Sequence, residues 1–356
     1  MTKVVYLVGA GFSAPLDLPV MRNFVVKSKD MLALHPKEFA HFEKVFALIK
    51  DMSAVKNYYS ADLFNIEEIL SILEMSERVG RRSTKRFRRY IVDVITFYTP
   101  AAPEVDPPRL PANWYDHLIM TNPEWTLYFF FTLSLLGVRL RIDNSMSNRV
   151  VQVDPALKTD VDYAVITLNY DLVFETTAKF LGTFFIDGNR FGFQSDFTAN
   201  QSKDIRLTPL AKLHGSINDE SSVIAPTWNK TISKRMLATW SAAYQVLQSA
   251  NELRIIGYSL PVADAYIKYL LKSAVIDSDH LKHIDIICRD ADGATRARYK
   301  EFITFKYARF ADSPVESYLA SLRDRTIARR IDSQQLDFNQ LESAHSDFFE
   351  QEATDL

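Results

Sequence analysis

The chain has 356 residues, a net charge of −2 and 47% hydrophobic residues, a composition typical of a globular protein with a packed core. So small a net charge creates no overall field that would attract nucleic acid or an anionic membrane, so such a partner would need a local patch. A single cysteine, Cys288, excludes an internal disulfide and a thiolate zinc ribbon and favours a reducing compartment. We therefore expect a cytoplasmic protein without a metal site.

Five short runs of aliphatic and β-branched residues are predicted to be strands that are buried on both faces. They are residues 4–8, 163–168, 210–214, 253–257 and 283–288. Helical stretches such as residues 172–181 and 263–275 separate several of these strands. The alternation predicts an α/β fold with a Rossmann-like, mostly parallel sheet flanked by helices.

A large helical insertion is predicted after the first strand, because residues 23–160 contain no convincing strand pattern. Residues 62–75 have a polar start at Asn65, two glutamates in the first turn and apolar residues at helical spacing, which predicts a capped amphipathic helix. Five prolines in residues 100–111 predict an extended surface loop. We assign the insertion to residues 31–159.

The apolar stretch WTLYFFFTLSLLGV, residues 125–138, is the most hydrophobic part of this insertion. It is shorter than the ~20 residues that a membrane-spanning helix needs, and it contains two threonines and a serine. We predict a buried core helix and no membrane association.

The C-terminal segment, residues 311–356, is predicted to be a helical or disordered acidic tail. Residues 331–356 contain seven acidic residues and no lysine or arginine, which favours a solvated, mobile tail. An amphipathic helix that docks a partner or subunit remains an alternative. Its apolar positions would be Leu336, Phe338, Leu341, Phe348 and Phe349.

A basic run places seven lysines and arginines between Arg78 and Arg89. Most such runs are solvated helix faces, and we favour that interpretation. Direct contact with nucleic acid remains open, as does docking of the acidic tail of a neighbouring subunit.

A glycine turn, GAGFSA in residues 9–14, follows the first predicted strand and fits the G-x-G-x-x-A pattern of dinucleotide-binding turns. Gly9 permits the tight turn, and Gly11 would let backbone N–H groups approach a pyrophosphate. The pattern alone is weak, because glycine turns occur in many α/β proteins. A dehydrogenase would add a second strand with an acidic end about 20 residues later, but residues 21–35 look helical, so hydride transfer is disfavoured.

Polar side chains follow other predicted strands. Asn169 and Asp171 end one strand, His214 ends another, and residues 255–261, IIGYSLP, form a strand, a turn and a helix start. In isolation, Asn169 and Asp171 are more typical of helix caps, and a lone histidine is more often a core residue. Their shared position at one sheet edge beside a dinucleotide turn favours a functional site.

Taken in order, four segments resemble the loops of the sirtuin superfamily, and specifically the sirtuin-like (SIR2-like) NAD-hydrolysing domains of bacterial anti-phage defence proteins. The segments are GAGFSAPLDLP, TLNYD, KLHGS and IIGYSLPVADAYIKYLL, and FNIEEILSIL and VIAPTWNK also resemble phrases of this group. Sirtuin deacylases differ, since they have a GIPDFR phrase where this chain has DLPVMR, and they carry a zinc ribbon. The resemblance implies a sirtuin-type NAD-binding domain in residues 1–30 and 160–310.

The resemblance implies an NAD+ hydrolase (an NAD+ glycohydrolase, or NADase) that yields nicotinamide and ADP-ribose. Asn169 would bind the nicotinamide ribose or the attacking water, Asp171 would bind the nicotinamide carboxamide, and His214 would act as general base. The remaining predicted NAD+-binding residues are Gly9, Ala10, Gly11, Phe12, Ser13, Arg22, Thr167, Gly257, Ser259, Arg289 and Asp290.

The resemblance also implies a cellular role, in which a homo-oligomeric effector depletes NAD+ during abortive infection. Its activating partner would be a HerA-like ATPase, an Argonaute-type protein or a phage component. Two alternative functions remain: an NAD-dependent protein deacylase or ADP-ribosyltransferase, and a non-catalytic NAD-binding regulatory module.

Overall fold

The computed structural model describes residues 2–59, 61–80, 84–101, 123–143, 150–154, 160–184, 191–198, 206–224, 233–262, 264–276, 278, 280–329 and 335–356. The strands are β1 (Thr2–Val8), β2 (Arg139–Asp143), β3 (Val150–Asp154), β4 (Val161–Thr167), β5 (Phe191–Gln194), β6 (Arg206–Lys212), β7 (Glu252–Ile256), β8 (His283–Ile287), β9 (Ala308–Ala311), β10 (Gln335–Asp337) and β11 (Ala353–Asp355). The α-helices are α1 (Met21–Leu34), α2 (Phe42–Met52), α3 (Ile66–Arg78), α4 (Lys85–Tyr98), α5 (Pro123–Leu136), α6 (Val173–Phe184), α7 (Lys234–Gln248), α8 (Ala265–Ile276), α9 (Ala294–Phe302), α10 (Val315–Ala328) and α11 (Leu341–Glu352).

The main sheet has eight strands in the order β11-β9-β8-β7-β1-β4-β6-β5. Neighbouring strands are parallel except at one edge, where β11 runs antiparallel to β9. Because β1, β4, β6 and β7 are parallel, the turns that follow them meet at the same edge of the sheet. The predicted α/β fold with a mostly parallel sheet flanked by helices is confirmed, and the five predicted strands correspond to β1, β4, β6, β7 and β8.

A second, small sheet is antiparallel, with the order β10-β2-β3. Its strands β2 and β3 lie within residues 23–160, so the expectation that this region contains no strand was wrong. These strands are five residues long, and β2 also pairs with β10, about 200 residues further along the chain. Such a long-range partner leaves little local pattern in the sequence.

Two hydrophobic layers cover the main sheet, and the side-chain alternation of β1 shows how they divide. Val4, Tyr6 and Val8 pack on one face, and Val5 and Leu7 pack on the other. Helices α1–α6, α10 and α11 cover the first face, and α7, α8 and α9 cover the second.

Helix α1 and the inserted helices α2–α5 share one continuous core with β1, and the insertion does not form a core of its own. Helix α5 is buried all round from Trp125 to Leu136, which confirms the predicted core helix. None of the described helices combines the length and the apolar character needed to cross a membrane. The boundaries 31–159 stay a prediction, and most of the predicted proline-rich loop, residues 102–111, lies outside the described residues.

The C-terminal residues pack onto the sheet, so the favoured interpretation of a solvated, mobile tail was wrong for residues 335–356. Phe338, Leu341, Phe348 and Phe349 are buried in the core. The acidic Glu342 forms ion pairs with Arg254, which is itself buried. The amphipathic-helix alternative describes this segment, but its apolar face packs within the same chain.

Candidate functional site

The glycine turn after β1 packs directly against the turn after β7. The N–H of Gly9 donates to the carbonyl of Ile256 at 3.0 Å, and the N–H of Gly11 donates to the carbonyl of Gly257 at 2.8 Å. Gly257 has a φ of +63°, and a Cβ on it would lie 2.3 Å from the nitrogen of Phe12. Only glycine allows the two turns to approach this closely.

The backbone N–H groups of the glycine turn form hydrogen bonds within the protein. The N–H groups of Phe12 and Ser13 donate to the carbonyls of Gly9 and Ala10, as 3₁₀ geometry requires. Together with the bonds of Gly9 and Gly11, four N–H groups of the turn are used within the protein. The expectation that Gly11 lets backbone N–H groups of the turn approach a pyrophosphate stays a prediction.

Phe12, another predicted NAD+-binding residue, directs its side chain into the core. Its ring stacks on Phe174 with centroids 5.0 Å apart and contacts Tyr128 edge-on at 5.3 Å. The hydroxyl of Tyr128 donates to the backbone carbonyl of Phe12 at 2.6 Å. Phe12 thus anchors the turn, and any contact with a ligand would use its backbone.

Ser13, Asn169 and Asp171 form one buried hydrogen-bond network. The Ser13 hydroxyl donates to Asp171 Oδ2 at 2.7 Å and accepts from Asn169 Nδ2 at 3.1 Å. Asn169 Nδ2 also donates to the carbonyl of Gly9 at 3.0 Å. The Asn169 amide oxygen accepts no hydrogen bond from the described residues, so it is the group left to bind a ligand.

Asp171 has a second role at the start of α6. Its Oδ1 accepts from the N–H of Val173 at 3.1 Å, which is a helix cap. Lys212 Nζ donates to the backbone carbonyl of Asp171 and binds Glu175 Oε1 at 2.9 Å. The capping interpretation thus holds for Asp171, whereas the side chain of Asn169 is used for the glycine turn.

His214 follows β6 and is fully buried beside a carboxylate from the insertion. Its Nδ1 lies 3.3 Å from Oε1 of Glu67, the second residue of α3. Burial lowers the pKa of His214, but Glu67, through contact and charge, and the charge of Asp264 outweigh burial and hold this pKa above its usual value. The backbone of Leu168 also contacts the imidazole and raises its pKa, but neither ring nitrogen has a partner in good hydrogen-bond geometry among the described residues.

Asp264 and Tyr258 complete the surroundings of His214. The Tyr258 hydroxyl donates to Asp264 Oδ2 at 2.7 Å, while Oδ1 of this carboxylate is buried without a hydrogen-bond partner among the described residues. Burial and the charge of Glu67 raise the pKa of Asp264 to about 6, although His214 and Tyr258 act in the opposite direction. Two carboxyl groups and one imidazole therefore share a space closed to solvent.

Three predicted NAD+-binding residues, Thr167, Arg22 and Ser259, differ in their exposure. Thr167 ends β4, and its Oγ1 accepts from the N–H of Asn169 at 3.0 Å. Arg22 and Ser259 are exposed, and the carbonyl of Ser259 accepts from Arg298 Nε at 3.0 Å. Exposure leaves both side chains free to contact a ligand.

The turn after β8 contains the last two predicted residues. Arg289 is exposed. The Asp290 carboxylate accepts from the N–H groups of Thr295 at 2.8 Å and Arg296 at 2.9 Å, so it caps α9. That capping role occupies both carboxylate oxygens of Asp290.

The sheet register brings the two polar clusters close together. Thr167 on β4 is paired with Lys212 on β6, so Asn169 and His214 each follow the paired residues by two positions. No hydrogen bond between Asn169 and His214 is present in the described structure. They belong to adjacent clusters, one built on Ser13 and the other on Glu67.

Sequence reasoning missed Glu67, Lys212, Tyr258 and Asp264 as residues of this region. Each lies in a phrase that carried the family resemblance, namely FNIEEILSIL, KLHGS or IIGYSLPVADAY. That resemblance was the only available signal, because nothing in the local pattern shows that α3 reaches the end of β6.

A second surface contains part of the basic run. Helices α2 and α4 line an open groove of about 740 Å³, and its basic side chains are Lys44, Lys85, Arg86 and Arg89. Residues 81–83 lie outside the described residues. Nucleic-acid contact remains an open prediction, whereas the acidic tail packs against its own chain.

A comparison with protein-family models found one match, the model described as a SIR2-like domain, over residues 163–308. Residues 163–308, less than half of the chain, are similar to this SIR2-like domain model. Asn169, Asp171, His214 and Gly257 lie within the matched residues of this SIR2-like domain. The glycine turn and Glu67 precede it in sequence, and the fold adds them to the same sheet edge.

Solved structures of Sir2 proteins also match the chain. "Structure of Sir2Tm bound to a propionylated peptide" has 11% identity and a TM-score of 0.36, and covers 90% of this chain and 92% of its own. "Sir2-p53 peptide-NAD+" has 12% identity, a TM-score of 0.36 and the same coverage. "Crystal structure of a Sir2 homolog-NAD complex" has 13% identity and a TM-score of 0.34, and covers 91% and 88%. A comparison with curated proteins found no match.

Proposed function

We propose that this protein is an NAD+ glycohydrolase that converts NAD+ and water into nicotinamide and ADP-ribose. The observation that carries the proposal is the meeting of Ser13, Asn169 and Asp171 beside the buried His214, at the carboxyl edge of the SIR2-like domain. Ligands of doubly wound sheets bind at this edge.

The reaction breaks the bond between ribose C1′ and the nicotinamide nitrogen. The bonding electron pair leaves with nicotinamide, which departs neutral because its ring nitrogen was cationic in NAD+. Water forms the new bond to C1′ and gives up one proton. The protein must therefore stabilise a cationic sugar, position one water and accept one proton.

The chain's own groups match these three tasks. The free amide oxygen of Asn169 accepts a hydrogen bond from a ribose hydroxyl or from the water. The negative charge of Asp171 favours a developing cation nearby. His214 takes the proton as general base. Ser13 holds the first two side chains in place through its hydroxyl.

Protein deacylation and ADP-ribosyl transfer would use the same residues with a different acceptor in place of water. Deacylases of the sirtuin type carry a zinc ribbon, whereas the sequence contains one cysteine, Cys288. Cys288 is buried, and burial raises its pKa to about 12, so it is an inert core thiol. This chemistry favours water as the acceptor. A module that only binds NAD would not require Asn169 and His214 together.

We extend the proposal to the cell on the basis of the sequence resemblance. The enzyme acts in the cytoplasm as an oligomeric anti-phage effector that depletes NAD+ during abortive infection. Its trigger is a HerA-like ATPase, an Argonaute-type protein or a phage component. Measurement of cellular NAD+ during infection, with wild-type protein and with His214→Ala, tests this role.

The test of the activity is product analysis with purified protein. We expect NAD+ to yield equimolar nicotinamide and ADP-ribose, and expect Asn169→Ala and His214→Ala each to reduce the rate by about 10²-fold or more. Asn57→Ala and His283→Ala are matched controls at exposed positions and should retain the rate. Unchanged rates in both site variants would contradict the proposed site. Turnover that requires an acyl-lysine peptide would instead establish a deacylase.

A further inference from the structure

We infer that Glu67, contributed by the inserted helix α3, is a positioning residue for His214. Its carboxylate holds the Nδ1 side of the imidazole, so that Nε2 is the nitrogen that accepts the proton. The inference rests on the proposed function and adds to it a residue that lies outside the matched SIR2-like domain.

Helix α3 fixes Glu67 firmly. Asn65 caps the helix, with its Oδ1 accepting from the N–H groups of Glu67 at 3.0 Å and Glu68 at 3.2 Å. The Ser71 hydroxyl donates to the carbonyl of Glu67 at 2.7 Å. The neighbouring Ile66 is buried in the core. These contacts fix the backbone of Glu67 at the start of α3, from which its side chain reaches His214.

Burial strengthens the electrostatic interaction between Glu67 and His214. His214 is 1% exposed and Glu67 is 6% exposed, so water screens their interaction weakly. A buried carboxylate needs a partner, and Glu67 Oε1 lies 3.3 Å from Nδ1 of His214. The pair orients the ring much as the carboxylate of a catalytic triad orients its histidine.

Other titratable groups also surround His214. Asp264 and Tyr258 approach from the turn after β7, and Tyr170 lies alongside, with its ring centroid 6.0 Å from that of the imidazole. Asp264 already accepts a hydrogen bond from Tyr258. The described residues contain no group of three or more side chains arranged to bind a metal ion. Glu67 is the carboxylate that contacts the ring directly, and we assign it the positioning role.

The sharpest test compares Glu67→Gln with Glu68→Gln. Both changes remove one negative charge from the first turn of α3, but Glu68 binds the N–H of Asp62 and does not contact His214. Two quantities are measured in each variant: the pH dependence of kcat for NAD+ cleavage, and the titration of the His214 ring protons by NMR.

We expect Glu67→Gln to move the His214 titration to lower pH, because the carboxylate that favours the imidazolium is gone. The ascending limb of the pH profile should move with it, since His214 must be neutral to act as a base. The plateau kcat should fall by about 10²-fold because the ring loses its orientation. Glu68→Gln should match the wild type in its His214 titration, in the ascending limb of its pH profile and in its plateau kcat. An unchanged His214 titration in Glu67→Gln would overturn the inference.

The two readouts separate this inference from the proposed function. If wild-type protein cleaves no NAD+, the proposed function fails, while the NMR titration still reports whether Glu67 controls His214. If Glu67→Gln does not fold, Glu67→Asp keeps the charge but shortens the side chain. Glu67→Asp should then have a lower kcat and a nearly unchanged His214 titration. Full wild-type kcat in this variant would overturn the inference.

Discussion

The hydroxyl of Ser13 donates a hydrogen bond of 2.7 Å to Asp171 Oδ2, and so joins the turn after β1 to the turn after β4. The two residues are 158 positions apart in the chain. Asn169 Nδ2 donates to the same hydroxyl. One small side chain thus holds both polar residues that follow β4.

Ser13→Ala should therefore damage stability and activity together. The change leaves Asp171 Oδ2 buried without this donor, at a cost of about 1–3 kcal/mol in the free energy of unfolding. Urea denaturation measures that loss, and kcat/KM for NAD+ should fall by at least tenfold. Ser249→Ala, at an exposed helix end, is the control. An active and fully stable Ser13→Ala protein would show that the network is dispensable.

Asn169→Asp should be less stable than Asn169→Ala, although aspartate is closer to asparagine in shape. The Asn169 amide donates to the carbonyl of Gly9 at 3.0 Å, and a carboxylate oxygen at that position faces another oxygen without a hydrogen between them. We expect a difference of about 1–3 kcal/mol in the free energy of unfolding. Equal stability of the two variants would mean that the hydrogen bond is absent in solution.

Gly257→Ala should destabilise the fold and open the site. The added Cβ would lie 2.3 Å from the nitrogen of Phe12 and 2.5 Å from the carbonyl carbon of Gly11. Both atoms are backbone, so neither can move aside as a flexible side chain would. We expect a loss of about 2–4 kcal/mol, measured by thermal or urea unfolding. Gly80→Ala also has a positive φ but has open space around it, so it isolates the cost of the clash.

The stability of the fold should fall on acidification, through the buried pair Asp285 and His345. Burial raises the pKa of Asp285, but hydrogen bonds from His345 and Arg309 outweigh burial and lower it from 3.8 to about 2. A lowered pKa stabilises the fold above pH 4, and this contribution, on the order of 2 kcal/mol, is lost as the pH falls from about 4 to about 2.

The lowered pKa of His345 also makes the fold less stable as the pH falls. Burial and the charge of Arg254 lower it to about 4, so His345 is neutral at pH 7 and its contact with Asp285 is a hydrogen bond of 2.9 Å. Between pH 6.5 and 4 the unfolded chain takes up this proton while the folded chain does not, which costs stability. Urea unfolding at stepped pH measures both effects. Asp285→Asn should reduce the dependence of the free energy of unfolding on pH below pH 4. An unchanged slope there would contradict the role given to Asp285.

Loss of Glu342 should destabilise the docked C-terminal helix. Glu342 binds Arg254 through two hydrogen bonds of 2.6 and 2.9 Å, and Arg254 is buried. Because Glu342 is about one-third exposed, we expect Glu342→Gln to cost about 2–4 kcal/mol, below the full value for a buried pair. In Glu342→Gln, the buried Arg254 keeps only Glu252 as an ion-pair partner. The double variant Glu342→Gln with Arg254→Met removes this cation and should recover part of the loss. No recovery would mean that packing, and not charge, decides the effect.

The sequence predicted those parts of the fold whose signals are local. Continuous apolar runs predicted β1, β4, β6, β7 and β8, and a polar cap with apolar periodicity predicted α3. The strand β2 and the docked tail were missed, because each depends on a partner far away in the chain. The acidic composition of the tail suggested solvation, but the buried Arg254 supplies a partner that composition cannot reveal.

In the candidate site, too, the residues with a local sequence signal were predicted. Asn169, Asp171 and His214 were placed at one sheet edge from strand ends alone, and the structure puts them there. The approach of Glu67 was not predictable, since it depends on how α3 packs over the end of β6. Nor could the sequence show that the N–H groups of Gly9 and Gly11 donate to the carbonyls of Ile256 and Gly257.

The antiparallel strand β11 has a consequence for handling the protein. It covers the outer side of β9, where the amide of Leu356 donates to the carbonyl of Ala308 at 3.0 Å. Removal of residues 353–356 would leave the N–H and C=O groups of β9 unpaired along an open border of the sheet. Such borders template pairing with a second molecule, so this truncation favours aggregation in concentrated samples.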